Sequence, residues 1–387
     1  MSEDRDTGEN DRVKPLRAAA VGVSTGRTLY GAALFASGFV LPSCVIDTDA
    51  KAAKAWAREL KITDTAIFGT LSALFDSETQ ADIALLALPL ALRPKVILAF
   101  VRQSVPCVVE PPLGETLADC DIAISAAHAA NLPLFPLLTR RFDPFVEAID
   151  RLLEDSAIGR VQHIRCDWTL PIAESTVKEI SAGGPWHSLL QSVAIHSADL
   201  CRLWLGDAFS VSADLDLSKD HTLPQTTSGR RTSETVATLI VNHDGGQATH
   251  HFARVHGAQS GERYTLTGTN GELQFVARAG IRQSALAAPS LTLTRNGQRT
   301  EEIAVETFGM PASVLRTAVL LDHAAEVVRG LASTLRVTGE DARAALEIVH
   351  AAYSASYEGL KVLLPLKQSP DIAAMFRDPN EPLKIEG

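Results

Sequence analysis

Three polar side chains near the middle of the sequence have the types and the spacing that proton transfer requires. Ser192, His196 and Asp199 lie at i, i+4 and i+7, along one edge of a predicted helix over 186–205. An imidazole with an ordinary pKa of about 6.5 can accept a hydroxyl proton at neutral pH. We therefore interpret His196 as an acid or base, Asp199 as the group that orients its ring or raises its pKa, and Ser192 as a hydrogen-bonding group for a substrate hydroxyl.

The same residues also have structural interpretations. The side chains that share the helix face of His196 are apolar: Leu189, Val193, Leu200 and Leu203. A histidine in such a stripe is most often a hydrogen-bonded core residue. Asp199 can equally form a salt bridge on the helix surface or between domains. Lys178 and His187, near the turn before the helix, are reserve candidates for the acid or base.

A glycine-containing turn near the start of the chain resembles a phosphate site. The apolar run over 17–21 predicts a strand buried on both faces, the turn covers 22–27, and a helical pattern follows. Backbone N–H groups and the positive end of a helix dipole converge at such a turn. The three glycine positions of the dinucleotide fingerprint hold Gly22, Ser24 and Arg27, with Thr25 and Gly26 between them. The alternative is a plain strand–turn–helix unit.

Asp47 ends the second predicted strand, 41–46, about twenty residues beyond this turn. A carboxylate there can hold the ribose hydroxyls of NAD, and it would repel the 2′-phosphate of NADP. The pattern therefore favours NAD, with NADP the less favoured cofactor. The alternative is that Asp47 or Thr48 caps the following helix, 50–60.

Composition favours a cytoplasmic protein with two domains and no nucleic-acid or membrane partner. The chain has 387 residues, 46% of them hydrophobic, which is enough for two cores. A net charge of −10 gives no basic field for phosphate backbones or anionic membranes. Five dispersed cysteines without a CxxC pair predict buried thiols and neither a disulfide framework nor a zinc site. No other metal site is expected, because His250 and His251 are adjacent on a predicted strand and point to opposite faces.

The order of elements predicts an α/β domain followed by an α+β domain. Strands and helices alternate from 16 to about 138, which indicates a parallel, Rossmann-type sheet. Later strands are separated by Asp-Gly and Asn-Gly turns, which indicate a large, mainly antiparallel sheet. We predict a disordered tail over 1–14, a dinucleotide-binding domain over 15–140, a substrate and oligomerisation domain over 141–365 and a C-terminal tail over 366–387. The closing helix, 339–360, is predicted to pack back on the first domain.

Five stretches of the chain carry a resemblance to a known family. They are CVIDTDAKAAKAWARELKI, VVEPPLGETLAD, LLTRRFDPFVEAIDRLLEDSAIGRVQHIRCDW, YTLTGTNGELQF and GEDARAALEIVHAAYSASYEGLKVLLP. From about 17 to 365 the chain resembles the glucose–fructose oxidoreductase / inositol dehydrogenase / MocA family of NAD(P)-dependent oxidoreductases. The resemblance implies a sugar-like or cyclitol-like alcohol or ketone as the small-molecule substrate. It also implies a homodimer or homotetramer formed through the C-terminal sheet.

The resemblance assigns site residues and shows where this chain departs from the family. Glu110 and Pro111 stand in the family's Glu-Lys-Pro turn, where Pro111 replaces a lysine that binds cofactor and substrate. The family's Asp-x-Gly-x-His-x-x-Asp motif aligns with 192–199, so Ser192 replaces the first carboxylate. The resemblance also places the helix face of His196 against the nicotinamide.

Two arginines are candidates for the positive charge that is missing at Pro111. Arg93 follows Pro89, whose loop is expected to cross the carboxyl edge of the sheet and border the cofactor. Arg93 also replaces a histidine that is common in the family. We expect Arg27 near the pyrophosphate and Arg93 near the nicotinamide or substrate, and the alternative for each is an ordinary surface arginine.

One main function and two alternatives follow. The main hypothesis is an NAD(P)-dependent oxidoreductase that transfers hydride to or from its substrate, with His196 as acid or base. The second hypothesis rests on the missing turn lysine and the missing first helix carboxylate. It is a catalytically altered family member that serves as a nucleotide-binding regulator or partner subunit. The third hypothesis is a lyase or hydrolase that uses bound NAD without net oxidation.

Overall fold

The computed structural model divides the chain into two compact units, Met1–Val146 with Thr307–Arg343 and Glu147–Glu306 with Ala344–Gly387. The structure describes residues 14–23, 27, 29–171, 189–216, 234–255, 260–279 and 288–375. Most of the predicted tail over 1–14 and part of that over 366–387 lie outside the described residues. Thr307–Arg343 groups with the first unit, whereas the division predicted from sequence placed it within 141–365.

The strands form two sheets, one of six strands and one of nine. The first sheet contains β1 (Leu16–Val21), β2 (Val40–Ile46), β3 (Ile67–Phe68), β4 (Ile83–Leu86), β5 (Cys107–Val109) and β6 (Leu134–Pro136). The second contains β7 (Val161–Pro171), β8 (Ala208–Asp216), β9 (Val236–His243), β10 (Gly246–Val255), β11 (Ser260–Gly268), β12 (Gly271–Ala279), β13 (Ser290–Arg295), β14 (Glu301–Ile303) and β15 (Val362–Leu363).

The α-helices of the described residues range from a single turn to several turns. They are α1 (Gly31–Ala36), α2 (Ala50–Glu59), α3 (Leu71–Phe75), α4 (Arg93–Val101), α5 (Leu117–Ala129), α6 (Pro144–Glu154), α7 (Ile195–Leu205), α8 (Ala312–Val328), α9 (Gly339–Glu358) and α10 (Ile372–Met375). Short 3₁₀ turns cover Asp64–Ala66, Leu90–Leu92 and Thr139–Phe142, and a π-helical turn covers Leu190–Ala194. Among the helices described, none combines the length and the apolar character needed to cross a bilayer.

The sheet of the first unit is parallel and doubly wound, which confirms the predicted fold class. Its strand order is β3-β2-β1-β4-β5-β6, and all neighbouring strands are parallel. Every residue of β4 and β5 is buried, as expected for apolar strands covered on both faces. The order of the strands reverses between β1 and β4. Sheets of this kind bind ligands outside the carboxyl ends of the strands at that reversal.

Polar contacts attach α8 to the first unit. The Asp322 carboxylate accepts hydrogen bonds from the backbone N–H groups of Gly38 at 3.1 Å and Phe39 at 3.2 Å, between α1 and β2. Arg316 forms an ion pair with the buried Asp143 at 2.6 Å. These partners lie far away in the sequence. The spacing of apolar residues along α8 therefore could not assign this helix to the first unit.

The sheet of the second unit is mixed and mainly antiparallel, in agreement with the prediction. Its order is β14-β13-β12-β11-β7-β10-β9-β8-β15. The pairing of β7 with β10 is parallel, and the other pairings of this sheet are antiparallel. The helix α7 contacts β7 and β10. Side chains of β7 that are buried, among them Cys166 and Trp168, alternate with exposed ones such as Arg165, which is the pattern of a sheet covered on one face.

The helix α9 carries a histidine into the core of the second unit. His350 is 0% exposed, and neither ring nitrogen has a hydrogen-bond partner among the residues that the structure describes. Burial lowers the pKa of His350 to about 4. The folded protein therefore holds this ring in its neutral form at neutral pH.

We expect His350 to lower the free energy of unfolding by about 2 kcal/mol when the pH falls from about 7.5 to about 5. An unfolded histidine gains a proton near pH 6.5, whereas the folded ring stays neutral down to about pH 4, so acid favours the unfolded chain. Urea unfolding at the two pH values measures this loss. His350→Met should reduce the pH dependence by that amount, and His251→Gln, at an exposed histidine of the same unit, should not. Equal pH dependence in wild type and His350→Met would contradict this expectation.

Candidate functional site

Gly22, which directly follows β1, occupies a position that only glycine fits. Its φ is +88°, and a Cβ built there would lie 2.0 Å from the carbonyl oxygen of Ala87, just beyond β4. The missing side chain lets the ends of two neighbouring strands converge at the reversal of strand order. Ser24, Thr25 and Gly26, the other predicted residues of this turn, lie outside the described residues.

Asp47 lies at the carboxyl end of β2, half-buried. Its Oδ2 atom accepts a hydrogen bond from the backbone N–H of Val23 at 2.7 Å, and its Oδ1 atom accepts one from Asp49 N–H at 2.8 Å. The carboxylate therefore joins the end of β2 to the turn after β1. The structure thus brings Gly22 and Asp47 together, two of the residues that the sequence singled out for the cofactor.

The cap of α2 is Asp49, so the capping alternative for Asp47 or Thr48 is wrong. The Asp49 side chain accepts hydrogen bonds from the backbone N–H groups of Lys51 and Ala52, both at 2.9 Å. An aspartate that accepts from the first free N–H groups of a helix fixes where that helix begins. Asp47 lies outside this cap, and its carboxylate faces the glycine turn instead.

Two other predicted cofactor residues are exposed. Arg27 forms an ion pair with Glu59 at the end of α2, which anchors its guanidinium on that helix. Pro89 directly precedes the 3₁₀ turn Leu90–Leu92 in the loop after β4. The predicted contacts of Arg27 and Pro89 with a cofactor stay predictions.

Arg93, the first residue of α4, is buried, so the alternative of a surface arginine is wrong for it. Its side chain is only 7% exposed. The guanidinium donates to the carbonyl oxygens of Leu88 at 2.8 Å, Glu110 at 2.7 Å and Pro112 at 2.6 Å. A fourth hydrogen bond, 2.7 Å long, reaches Oε2 of Glu110. Arg93 therefore joins the loop after β4 to the turn after β5.

The turn after β5 is shaped by this ion pair and by two buried prolines. Burial raises the pKa of the Glu110 carboxyl, and the positive charge of Arg93 acts against that rise. Pro111 and Pro112 are both buried. Pro111 offers neither an ammonium group nor a backbone N–H. The positive charge at this turn therefore comes from Arg93, and the protein's own carbonyl and carboxylate groups already bind it.

The predicted catalytic residues lie on the helical segment around α7. Ser192 is exposed within the π-helical turn, His196 is half-buried on α7, and Asp199 is fully buried. The three side chains, predicted to share one edge of the helix, therefore differ in exposure. Hydrogen bonds from i to i+5 in a π turn change the direction of the residues on either side of it. The burial of Asp199 excludes a salt bridge on the helix surface. Turns of this kind are frequent at functional sites.

The sequence analysis missed a buried carboxylate that supports this helix. Glu234, just before β9, is 0% exposed. Its Oε2 atom accepts from the backbone N–H of Leu189 at 2.8 Å, and its Oε1 atom accepts from the Tyr353 hydroxyl at 2.6 Å. Burial raises the pKa of Glu234, against these hydrogen bonds. The only signal in the sequence is a single acidic residue before an apolar strand. The reserve candidates Lys178 and His187 lie outside the described residues.

We expect Arg93→Met to lower the free energy of unfolding by about 2 kcal/mol, because Glu110 would keep a half-buried carboxylate without its counter-charge. Chemical denaturation followed by circular dichroism measures the change. The matched control is Arg102→Met at the exposed end of α4, for which we expect a change within about 0.5 kcal/mol. Adding Glu110→Gln to Arg93→Met should recover part of the loss, and equal losses in the two single arginine variants would contradict this account.

Comparison with protein families matches both units. Residues 16–136 match the family described as "Oxidoreductase family, NAD-binding Rossmann fold". Residues 146–274 match the "GFO/IDH/MocA C-terminal domain". The chain is also similar to D-apiose dehydrogenase from Paraburkholderia graminis, with 23% identity over 208 residues that cover 49% of this chain and 52% of that protein. The match therefore spans about half the length of this curated relative.

Solved structures share the fold over nearly the whole chain. An oxidoreductase from Agrobacterium radiobacter, in complex with NAD+, L-tartaric acid and magnesium, has a TM-score of 0.75 and 19% identity, covering 90% of this chain and 98% of that one. Myo-inositol 2-dehydrogenase from Lactobacillus plantarum has a TM-score of 0.73 and 19% identity, covering 91% of this chain and all of that one (100%). With a family match in each unit and this fold, the chain belongs to the glucose–fructose oxidoreductase / inositol dehydrogenase / MocA family of NAD-binding oxidoreductases.

Proposed function

We propose that this protein is an NAD-dependent dehydrogenase of a small sugar-like or cyclitol-like alcohol or ketone. The observation that carries the proposal is the Asp47 carboxylate, held at the carboxyl end of β2 by the Val23 N–H at 2.7 Å. A carboxylate at this point can accept hydrogen bonds from ribose hydroxyls and repels a 2′-phosphate, which supports NAD over NADP. When bound, NAD supplies the acceptor or donor of hydride.

The residues around β1 fit this cofactor. A side chain at position 22 would collide with the Ala87 carbonyl, at 2.0 Å, so Gly22 lets the ends of β1 and β4 converge where sheets of this kind bind nucleotides. The half-buried Asp47 provides the polar group that such sites use for the ribose. Arg93 and Glu110 bind each other and fix the turn beyond β5. Gly22 and Asp47 would therefore hold the cofactor, while Arg93 acts as a positioning residue.

The proton of the substrate hydroxyl needs an acceptor, and we assign it to His196. Pro111 has no titratable group, and the Arg93 guanidinium is bound to three carbonyl oxygens and a carboxylate. The imidazole of His196 can take the proton when hydride leaves the substrate and return it in the reverse direction. In this proposal the buried Asp199 orients the ring, and Ser192 binds a second substrate hydroxyl.

The names of the relatives support the substrate class. D-apiose dehydrogenase and myo-inositol 2-dehydrogenase are named for a sugar and a cyclitol. Both compounds carry several hydroxyl groups, which suits the hydroxyl-binding groups proposed here on the helical segment around α7. A homo-oligomer formed through the nine-stranded sheet and a cytoplasmic location are further parts of the proposal.

A catalytically altered family member is the second candidate. It is supported by Pro111, which is buried and has no ammonium group, and by Ser192, which cannot take a proton at neutral pH. Turnover distinguishes the candidates. Net NADH formation from a sugar or cyclitol supports the dehydrogenase, product formation without net NADH supports a lyase or hydrolase, and NAD binding without turnover supports a regulator or partner subunit.

We expect Asp47→Asn to weaken NAD binding at least about tenfold, because the hydrogen bonds from ribose to a charged acceptor are lost. Isothermal titration calorimetry measures the dissociation constant. Asp49→Asn is the matched control, because asparagine still caps α2 and the same charge is removed two residues away. No NAD binding by the wild-type protein would refute the proposal, and equal weakening in both variants would refute the role of Asp47.

We expect His196→Gln to lower kcat at least about a hundredfold while the dissociation constant of NAD stays within about twofold. The amide occupies similar space and cannot accept the proton. NADH formation is followed by absorbance with a panel that includes D-apiose and myo-inositol. Ser192→Ala is the comparison variant, and we expect it to raise KM more than it lowers kcat. Full activity in His196→Gln would assign the proton to another group.

A further inference from the structure

Two cysteines and a histidine from three separate elements meet in the core of the second unit. Cys166 lies on β7, Cys201 on α7 and His250 on β10, directly opposite Cys166 in the parallel register. The two sulfur atoms are 3.5 Å apart. Both sulfurs and a ring nitrogen of His250 lie within 4.8 Å of one another. Three side chains of the types that bind transition metals therefore converge on one point.

The cluster is closed to solvent. Cys166 and Cys201 are 0% exposed and His250 is 1% exposed. His251, the next residue of β10, is exposed and forms a hydrogen bond with Thr238 at 3.2 Å. The two histidines therefore lie on opposite faces of the strand, as the sequence predicts. The expectation of no metal site rested on this alternation and on the dispersed cysteines without a CxxC pair. Neither pattern could show that β7 and α7 bring two thiols together beside His250.

The hydrogen bonds of Ser197 assign the proton on the His250 ring. The Ser197 hydroxyl donates to the carbonyl oxygen of Ala194 at 3.2 Å, so its oxygen accepts the 3.0 Å hydrogen bond from Nδ1 of His250. A neutral imidazole has one N–H, which leaves the lone pair on Nε2. Nε2 is buried and has no hydrogen-bond partner within the described part of the chain. A buried polar atom without a partner destabilises the folded state, and a cation at the cluster would remove this cost. Histidines that bind metals usually donate their other N–H to an oxygen acceptor, and His250 does so through Nδ1 and the Ser197 hydroxyl.

We propose that Cys166, Cys201 and His250 bind a structural Zn²⁺ ion. Thiolate sulfur and imidazole nitrogen are the ligands that structural zinc sites use, whereas Mg²⁺ and Ca²⁺ take oxygen ligands. Zinc–sulfur bonds of about 2.3 Å at a tetrahedral angle place the sulfurs about 3.8 Å apart, close to the 3.5 Å observed.

Binding replaces the two thiol protons, which pass to solvent, so two thiolates balance the charge of the ion. Because the ligands are buried and come from β7, α7 and β10, the ion would join the helix to the sheet. This role is independent of the proposed dehydrogenase activity.

Metal analysis of the full-length protein tests the site. Protein produced with added zinc and purified without chelator should contain about one zinc per chain by plasma mass spectrometry. Cobalt in place of zinc should give the absorption bands of a cobalt–thiolate complex. Cys201→Ser and His250→Gln should lower bound zinc at least about tenfold. The matched controls, Cys120→Ser at a buried thiol of the first unit and His251→Gln, should retain it.

Ser197→Ala keeps every ligand and removes only the acceptor for the His250 Nδ1–H. It should weaken zinc binding about tenfold to a hundredfold in competition with a chelating dye. If the ligand variants do not fold, the wild-type zinc content, the cobalt spectrum and this variant decide. A wild-type protein without zinc, a cobalt spectrum without thiolate bands, or a disulfide between Cys166 and Cys201 in the alkylated, unfolded protein would each overturn the proposal.

Discussion

The carboxyl edge of the first sheet depends on the hydrogen bonds and the ion pair that the buried guanidinium of Arg93 forms. A charge removed from water is stable only when its donors are paired, and here three carbonyl oxygens and the Glu110 carboxylate accept from it. The ends of β4 and β5 are thereby held together from within the chain. The turn at Glu110 and Pro111 therefore has its shape before any ligand arrives, so a ligand need not order it.

This arrangement changes how charge is distributed in the first unit. A lysine at position 111, as the family resemblance implies, would offer an ammonium group on a flexible stem. The charge of Arg93 is instead balanced by Glu110, and its guanidinium donates hydrogen bonds to carbonyl oxygens of the surrounding loops. The first unit therefore keeps the parts that suit a nucleotide, while the positive charge at its Glu110 turn is already paired.

Elements with strong local signals could be predicted from the sequence, and contacts between distant segments could not. The apolar runs of β1 and β4 and the acid at the end of β2 identified the parallel sheet and Asp47. Arg93 was harder to interpret, because its partners include backbone carbonyls 17 and 19 residues away, which no side-chain pattern reveals. The π turn before His196 could not be predicted, because the spacing of the apolar residues in the sequence does not reveal it. Cys166 and His250 meet only because β7 and β10 pair in parallel, whereas consecutive strands with tight turns favoured antiparallel neighbours.

The parallel pairing of β7 with β10 has a consequence for how the chain acquires its structure. On one side β7 pairs with β10 and on the other with β11, and both partners follow it only after a long intervening segment. During synthesis β7 therefore emerges with both hydrogen-bonding edges empty, and neither can be filled by a local hairpin. Until β10 and β11 have left the ribosome, its apolar face and open edges are available to other chains. We therefore expect this unit to be open to aggregation between the synthesis of β7 and that of β11.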